Sequence, residues 1–323
     1  MPASRFTFPS PHHFLIGRRD VVNCGVGLKR VDNPFLRFSQ QIKSEFGMFR
    51  GILFSTLLAV FLSGCASTPP QFQSIQPKRV DAEGYKLGRS SLLDVTNNTQ
   101  KHIDDKKNIL YFQNQGGGGA AMGVVLGVIG AVANAAMIEG NTTKDVQQLK
   151  NRLVFDPRDI FKEAAERASL KIGAGSSVSQ PIITPYVYVS KGDKDNLLVC
   201  AAVLVEASAP DSKWVGKYMY QAPRQYTIEQ LANLDENSSL ALKGSLAEGF
   251  EKIILHIGQE NPEMLKAEKP ITFRSELLSP RFDFEMVGNI ISDDTEIVWL
   301  RTVGGVYAVR KSSISYTYVP KQL

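Results

Sequence analysis

Few side chains in this sequence could do chemistry. The thiols are Cys24, Cys65 and Cys200, and the imidazoles are His12, His13, His102 and His256. A tetrahedral zinc site needs three or four ligands at short spacing, and these residues show no such grouping. No metal and no cofactor is therefore expected. Cys200 sits inside Leu197-Leu-Val-Cys-Ala-Ala-Val-Leu-Val-Glu206, the continuous apolar run of a buried strand, so it reads as a small core hydrophobe rather than as a nucleophile paired with His256. Gly116, Gly118 and Ala121 follow the short strand 108–113 and match a loose dinucleotide fingerprint with Glu139, but no second strand separates the helix from that acid. Paired acids, a Ser/His/Asp set and a phosphate-binding loop are likewise missing from the contexts they need, so no catalytic residue is assigned and the chain reads as non-enzymatic. One thiol stands apart. Cys65 closes a stretch of small residues behind an apolar run, where it is the nucleophile of the motif.

That stretch begins at Met48, carries Arg50, and runs apolar from Ile52 to Leu62 before Ser63, Gly64 and Cys65. A run of 11 residues is too short to cross a bilayer of roughly 30 Å, which makes it a signal-peptide core rather than a permanent span. The ending Leu62-Ser63-Gly64-Cys65 resembles the lipobox of bacterial lipoproteins. The resemblance implies cleavage between Gly64 and Cys65, acylation of the Cys65 thiol, and attachment to a membrane through the lipid. Two or three acyl chains make a firm anchor where one binds marginally. Ala66 stands where an aspartate tends to retain such proteins in the inner membrane. The implied location is thus the periplasmic face of the outer membrane. Residues 1–47 read as an upstream mis-start or extension, with Met48 as the expected start.

Charge excludes nucleic acid as a partner. Residues 1–64 hold eight Lys/Arg and three Asp/Glu, which is the whole net charge of +5; residues 65–323 carry 29 of each sign. Residues 65–84, rich in Pro, Gln and Ser, read as a tether. Residues 85–150 hold the short strand 108–113 and an uncharged stretch, 116–138, in which Gly119, Gly123 and Gly127 recur every four residues. Small residues at that spacing line one helix face and permit close helix approach. Three readings stay open for it: a membrane-associated or self-associating helix, a helix packed on the protein's own sheet, and a flexible loop.

The elements that would position any site come next. Asp156-Pro157 opens a helix with an apolar face of Ile160, Phe161, Ala164, Ala165 and Ala168. Strand patterns follow at 181–190, 196–207 and 213–221, then a mostly helical stretch over 227–258. Residues 151–260 are accordingly expected to form an α+β layer domain of helix, three antiparallel strands and helix. Strand patterns at 282–291, 296–302 and 305–309, with Gly304-Gly305 as a hairpin turn, suggest a separate small SH3-like β module over 270–320. Trp299, Tyr307, Tyr316 and Tyr318 are its aromatics, either core and rim or the walls of a groove. These observations lead to a structural, assembly or interaction role, with self-association or an envelope protein as partner. The strand Trp214-Val-Gly-Lys-Tyr218 between an apolar strand and a long helix resembles envelope lipoproteins that assist transport. That resemblance implies the alternative of an auxiliary lipoprotein in a transport or secretion system.

Overall fold

The computed structural model describes residues 72–76, 84–95, 97–113, 135–173, 180–208, 213–280 and 285–320. Along the chain these form β1 (Lys86–Leu87), β2 (Gln100–Asp104), β3 (Ile109–Gln113), α1 (135–149), α2 (Pro157–Arg167), β4 (Ile182–Lys191), β5 (Leu197–Ser208) and β6 (Lys213–Tyr226). They continue through α3 (Ile228–Ala232), α4 (Glu236–Gln259), α5 (Pro262–Ala267), β7 (Lys269–Ser275), β8 (Met286–Asp293), β9 (Ile297–Thr302), β10 (Gly305–Arg310) and β11 (Ile314–Tyr318). All eleven strands belong to one mixed sheet in the order β11-β7-β8-β9-β10-β6-β5-β4-β3-β2, with β1 also on the edge of β4.

This corrects the expected architecture. The helix–three-strand–helix layer followed by a separate SH3-like module does not form. β4, β5 and β6 are antiparallel, but they are the interior of a larger sheet. β3 joins the free edge of β4 in parallel, and β10 joins the free edge of β6 in parallel. Periodicity locates strands and is silent about which edges meet, particularly when the partners lie some 90 residues apart, as Tyr218 and Val306 do.

Local chemistry explains the elements. The Asp156 side chain accepts from Arg158 N at the start of α2, and Pro157 takes the first turn. β5 is apolar from Leu197 to Val205 and buried on both faces as far as Ala207, as a strand covered on both sides must be, with the buried Glu206 paired to Lys213. Pro185 interrupts β4 without loss. Val187 N donates toward β3, to Asn108 O at 3.0 Å, so the nitrogen two residues earlier points to the same edge. There β4 lies between its pairings with β1 and β3, and a donor would find no strand.

The two sheet faces are closed differently. One carries Val187, Val199, Val203, Tyr218, Tyr220 and Trp299 beneath the inner faces of all the longer helices. α2 and α4 meet there edge-to-face through Phe161 and Phe250, with centroids 5.5 Å apart. Gly249 lets α4 approach closely, since a Cβ would lie 2.9 Å from that of Ala201. The opposite face gathers Tyr186, Cys200, Met219 and Tyr307 with Ile271 and Phe273 of β7 and Ile290 of β8. Among the described residues no α-helix contributes to that cluster; the sheet's own outer strands close it, with Leu93 from the 3-10 turn Ser91–Asp94.

Gly305 is where β10 meets β6. Its φ is +144°, and a Cβ would fall 2.6 Å from Lys217 O. Gly305→Ala combines a strained dihedral, about 1–3 kcal/mol, with a backbone clash. It is expected to lower the unfolding midpoint sharply in thermal melts. Gly244→Ala, on the exposed side of α4 with nothing within 4 Å, should raise it, by about 0.5–1 kcal/mol of helix propensity. Equal melts for the two variants would refute this account of the β6–β10 joint.

Candidate functional site

The residues singled out from sequence as a site, Gly64, Cys65, Gly119, Gly123 and Gly127, lie outside the described residues. Of the uncharged stretch 116–138, the structure describes only residues from 135 onward, within α1. Among the described residues no helix is long and apolar enough to cross a membrane, and no group of three or more His, Cys, Asp or Glu side chains is placed to hold a metal ion.

Cys200 and His256 are both buried, on opposite sides of the sheet. Cys200 belongs to the face that carries no α-helix, whereas His256 on α4 stacks on Trp299 at 4.5 Å and 11°. They form no pair. The four aromatics are divided in the same way. Trp299 faces the helices, Tyr307 faces away, and Tyr316 and Tyr318 meet edge-to-face at the outer strand, 5.8 Å apart. They do not line one groove.

The most concentrated chemistry is a buried ionic centre around Arg301. The guanidinium is 1% exposed. Its Nε donates to Glu268 Oε1 at 2.8 Å, its Nη2 to Glu260 Oε1 at 2.7 Å, and its Nη1 to Gln73 O at 3.0 Å. Tyr218 OH donates to Glu260 Oε2 at 2.7 Å, and Asn289 Nδ2 to Glu268 Oε2 at 3.3 Å. His256 Nε2 stands 3.6 Å from Glu260 Oε1, beyond hydrogen-bond distance. Short α5 brings the two carboxylates together: Glu260 caps the end of α4, and Glu268 caps the end of α5. Asn261 starts α5 by accepting from Glu263 N and Met264 N, with Pro262 in its first turn.

Residues 72–76, within the segment read as a tether, are stitched onto this centre. Gln73 N donates to Thr302 O at 3.0 Å, and Lys217 N donates to Gln73 Oε1 at 2.7 Å. Trp214 Nε1 reaches Ser74 Oγ at 3.0 Å, and Tyr85 OH reaches Gln76 Oε1 at 3.0 Å. The docked segment walls a cavity of about 220 Å³ together with Tyr85, Leu170, Ile257 and Glu260. Burial, assisted by the Glu260 charge, raises the Tyr85 phenol to about 12, so it stays a donor.

The two carboxylates differ. Burial works to raise Glu260, but His256, the Tyr218 hydroxyl and Arg301 outweigh it and hold the carboxyl below its ordinary 4.5. At Glu268 burial prevails over Arg301 and Asn289, and the carboxyl is raised. Such an arrangement can hold charge and position backbone. It presents no nucleophile–base pair to a substrate. Sequence reasoning missed Arg301, Glu260 and Glu268. A charge inside the apolar segment Val298–Thr302 was the one available signal.

A second polar cleft, of about 500 Å³, lies between α1, the β4–β5 turn and α3. Asp145 there accepts from Lys191 Nζ at 2.8 Å and from the buried Tyr111 OH at 2.6 Å. No family model, no curated protein and no solved structure matches the chain.

Removing Arg301 should be far worse than neutralising a partner. Arg301→Met leaves two buried carboxylates uncompensated, and a loss of about 3–5 kcal/mol in urea unfolding at neutral pH is expected. The pH dependence follows from the shifts. The lowered Glu260 contributes stability that is complete above 4.5 and is lost as pH falls through its folded-state value. The raised Glu268 acts in the opposite sense, its contribution declining as pH rises through its folded-state value. Glu260→Gln should therefore flatten the acid limb of the stability profile below pH 4.5, and an unchanged limb would refute the role given to Glu260.

Proposed function

We propose that this chain is a lipoprotein anchored to the periplasmic face of the outer membrane, with a structural, assembly or interaction role and no catalysis of its own. The observation that carries this is the ordered series Arg50, apolar run, Leu62-Ser63-Gly64-Cys65, followed so closely by a segment docked on the body. From Cys65 to Gln73 there are eight residues, a reach of at most about 26–29 Å. A lipid on Cys65 would thus hold the Arg301 end of the sheet near the bilayer. Support for an interaction role comes from a buried centre devoted to holding backbone and from polar, open clefts.

The test is Cys65→Ser, which removes the thiol that the lipid-transfer machinery needs. Labelling with a palmitate analogue should fall to background, and the protein should leave the outer-membrane fraction or persist unprocessed. Undiminished labelling of the variant would overturn the assignment. A readout of the body's melting point, unchanged by Cys65→Ser, separates loss of anchoring from loss of folding.

A further inference from the structure

The two carboxylates at Arg301 spend both of their oxygens inside the protein, Glu260 on Arg301 and Tyr218, Glu268 on Arg301 and Asn289. Asp145 does not. It is 7% exposed, yet it lines the cleft between α1, the β4–β5 turn and α3. Its bonds from Lys191 Nζ and Tyr111 OH both fall on Oδ2. Oδ1 has no partner among the described residues and is not sealed over. A carboxylate fixed through one oxygen presents the other to the cleft as a positioned acceptor.

Donors stand around it. An ammonium group carries three protons; Lys191 directs one at Asp145 and lies 3.5 Å from Asp195 Oδ1, which leaves a third for a ligand. Gln225 and Gln230 use their side-chain oxygens on Asn196 Nδ2, at 2.6 Å, and on Thr227 N, at 2.9 Å. Their amide nitrogens remain as donors.

Charge decides among ligands. Lys144, Lys191 and Lys194 balance Asp145, Asp195 and Glu229 around the cleft. An anion would meet the bare Asp145 oxygen, and an organic cation would meet the ammonium groups. The acids are not grouped to hold a metal ion. Tyr226 and Ile228, the apolar lining residues, are themselves buried, so an apolar ligand finds little surface. A hydroxyl group suits both signs, since it donates to Asp145 Oδ1 and accepts from Lys191 Nζ through one oxygen. The volume of about 500 Å³ is that of a small-molecule site.

We propose that this cleft binds a neutral saccharide, with one hydroxyl held between Asp145 and Lys191 and adjacent oxygens held by Gln225 and Gln230. The inference goes beyond the anchoring reading and does not depend on acylation of Cys65.

The experiment is ligand-observed saturation-transfer NMR on the purified full chain in a detergent without a sugar headgroup. The neutral probes are glucose, maltose, maltotetraose, lactose and diacetylchitobiose; the charged ones are glucose 6-phosphate and, below the pKa of its amine, glucosamine. Neutral sugars should bind saturably and the charged analogues more weakly than glucose. In Asp145→Asn the new side-chain oxygen accepts from Lys191 and Tyr111, so a donor, Nδ2, replaces the bare Oδ1. Sugar binding should fall at least about tenfold, the weight of a hydrogen bond to a charged group. Gln148→Trp, at an exposed position of α1 on the rim, should close the opening and abolish binding; it decides the location if Asp145→Asn does not fold. Equal binding of maltose and maltotetraose identifies the ligand as a segment of a glycan chain, and weaker binding of the longer sugar identifies it as a free small sugar. Both outcomes uphold the site. No saturable binding by any neutral probe overturns the proposal. So does tighter binding of glucose 6-phosphate or glucosamine than of glucose, or sugar binding that both variants leave unchanged.

Discussion

Arg301 is the constraint on which the rest of this structure depends. Its guanidinium is almost wholly removed from water, and three of its nitrogens donate to groups that are remote in the chain: the carboxylates of Glu260 and Glu268 and the carbonyl of Gln73. A well-packed apolar cluster could be as stable as such a centre. What the charge adds is definition. β9 is paired on both sides, with Asn289 and Val306 opposite Arg301. A slip of one residue would turn the guanidinium to the other face and bury it without a partner. The register of β8, β9 and β10 is therefore tied to the place where α4 ends and α5 turns.

A second consequence concerns the joint between the two halves of the sheet. β6 and β10 run in parallel, and parallel neighbours need a long connection that local sequence cannot enforce. Here the joint is fixed at its start by Gly305, whose backbone approaches Lys217 more closely than any side chain would allow, and by Gln73, which bridges Lys217 N of β6 and Thr302 O at the end of β9. The same residue, Lys217, thus gives its backbone to the joint and its side chain to the aromatic face.

What could be read in the sequence divides along these lines. Features set by nearest neighbours were legible. Asp156 caps α2, the Leu197–Ala207 run is a doubly buried strand, a hairpin forms with its turn at Val303-Gly304, one residue before the expected Gly304-Gly305, and Cys200 is core. Features set by distant partners were not. β6 continues to Tyr226, five residues past the expected end, because paired neighbours hold its polar final turn-out in the ladder. Arg301, at the end of the apolar run Ile297–Leu300 and next to Thr302, looks like the point where the strand meets solvent until carboxylates from Glu260 and Glu268 are brought to it. Nothing in residues 270–320 announces that β10 will pair outside its own hairpin.

The docked segment 72–76 shows the same limit in its sharpest form, because composition reads Pro, Gln and Ser as linker and cannot distinguish a solvated glutamine from a pinned one. Ordering five residues costs about 5–10 kcal/mol of backbone entropy at 1–2 kcal/mol each. Against this stand four ordinary hydrogen bonds at about 1 kcal/mol and one to a guanidinium at about 2 kcal/mol. The two sides nearly cancel. A segment so balanced stays in place because its acceptors fill positions that would otherwise leave Lys217 N and a guanidinium nitrogen unsatisfied inside the protein, and that penalty, rather than the strength of any one bond, makes a linker-like sequence part of the fold.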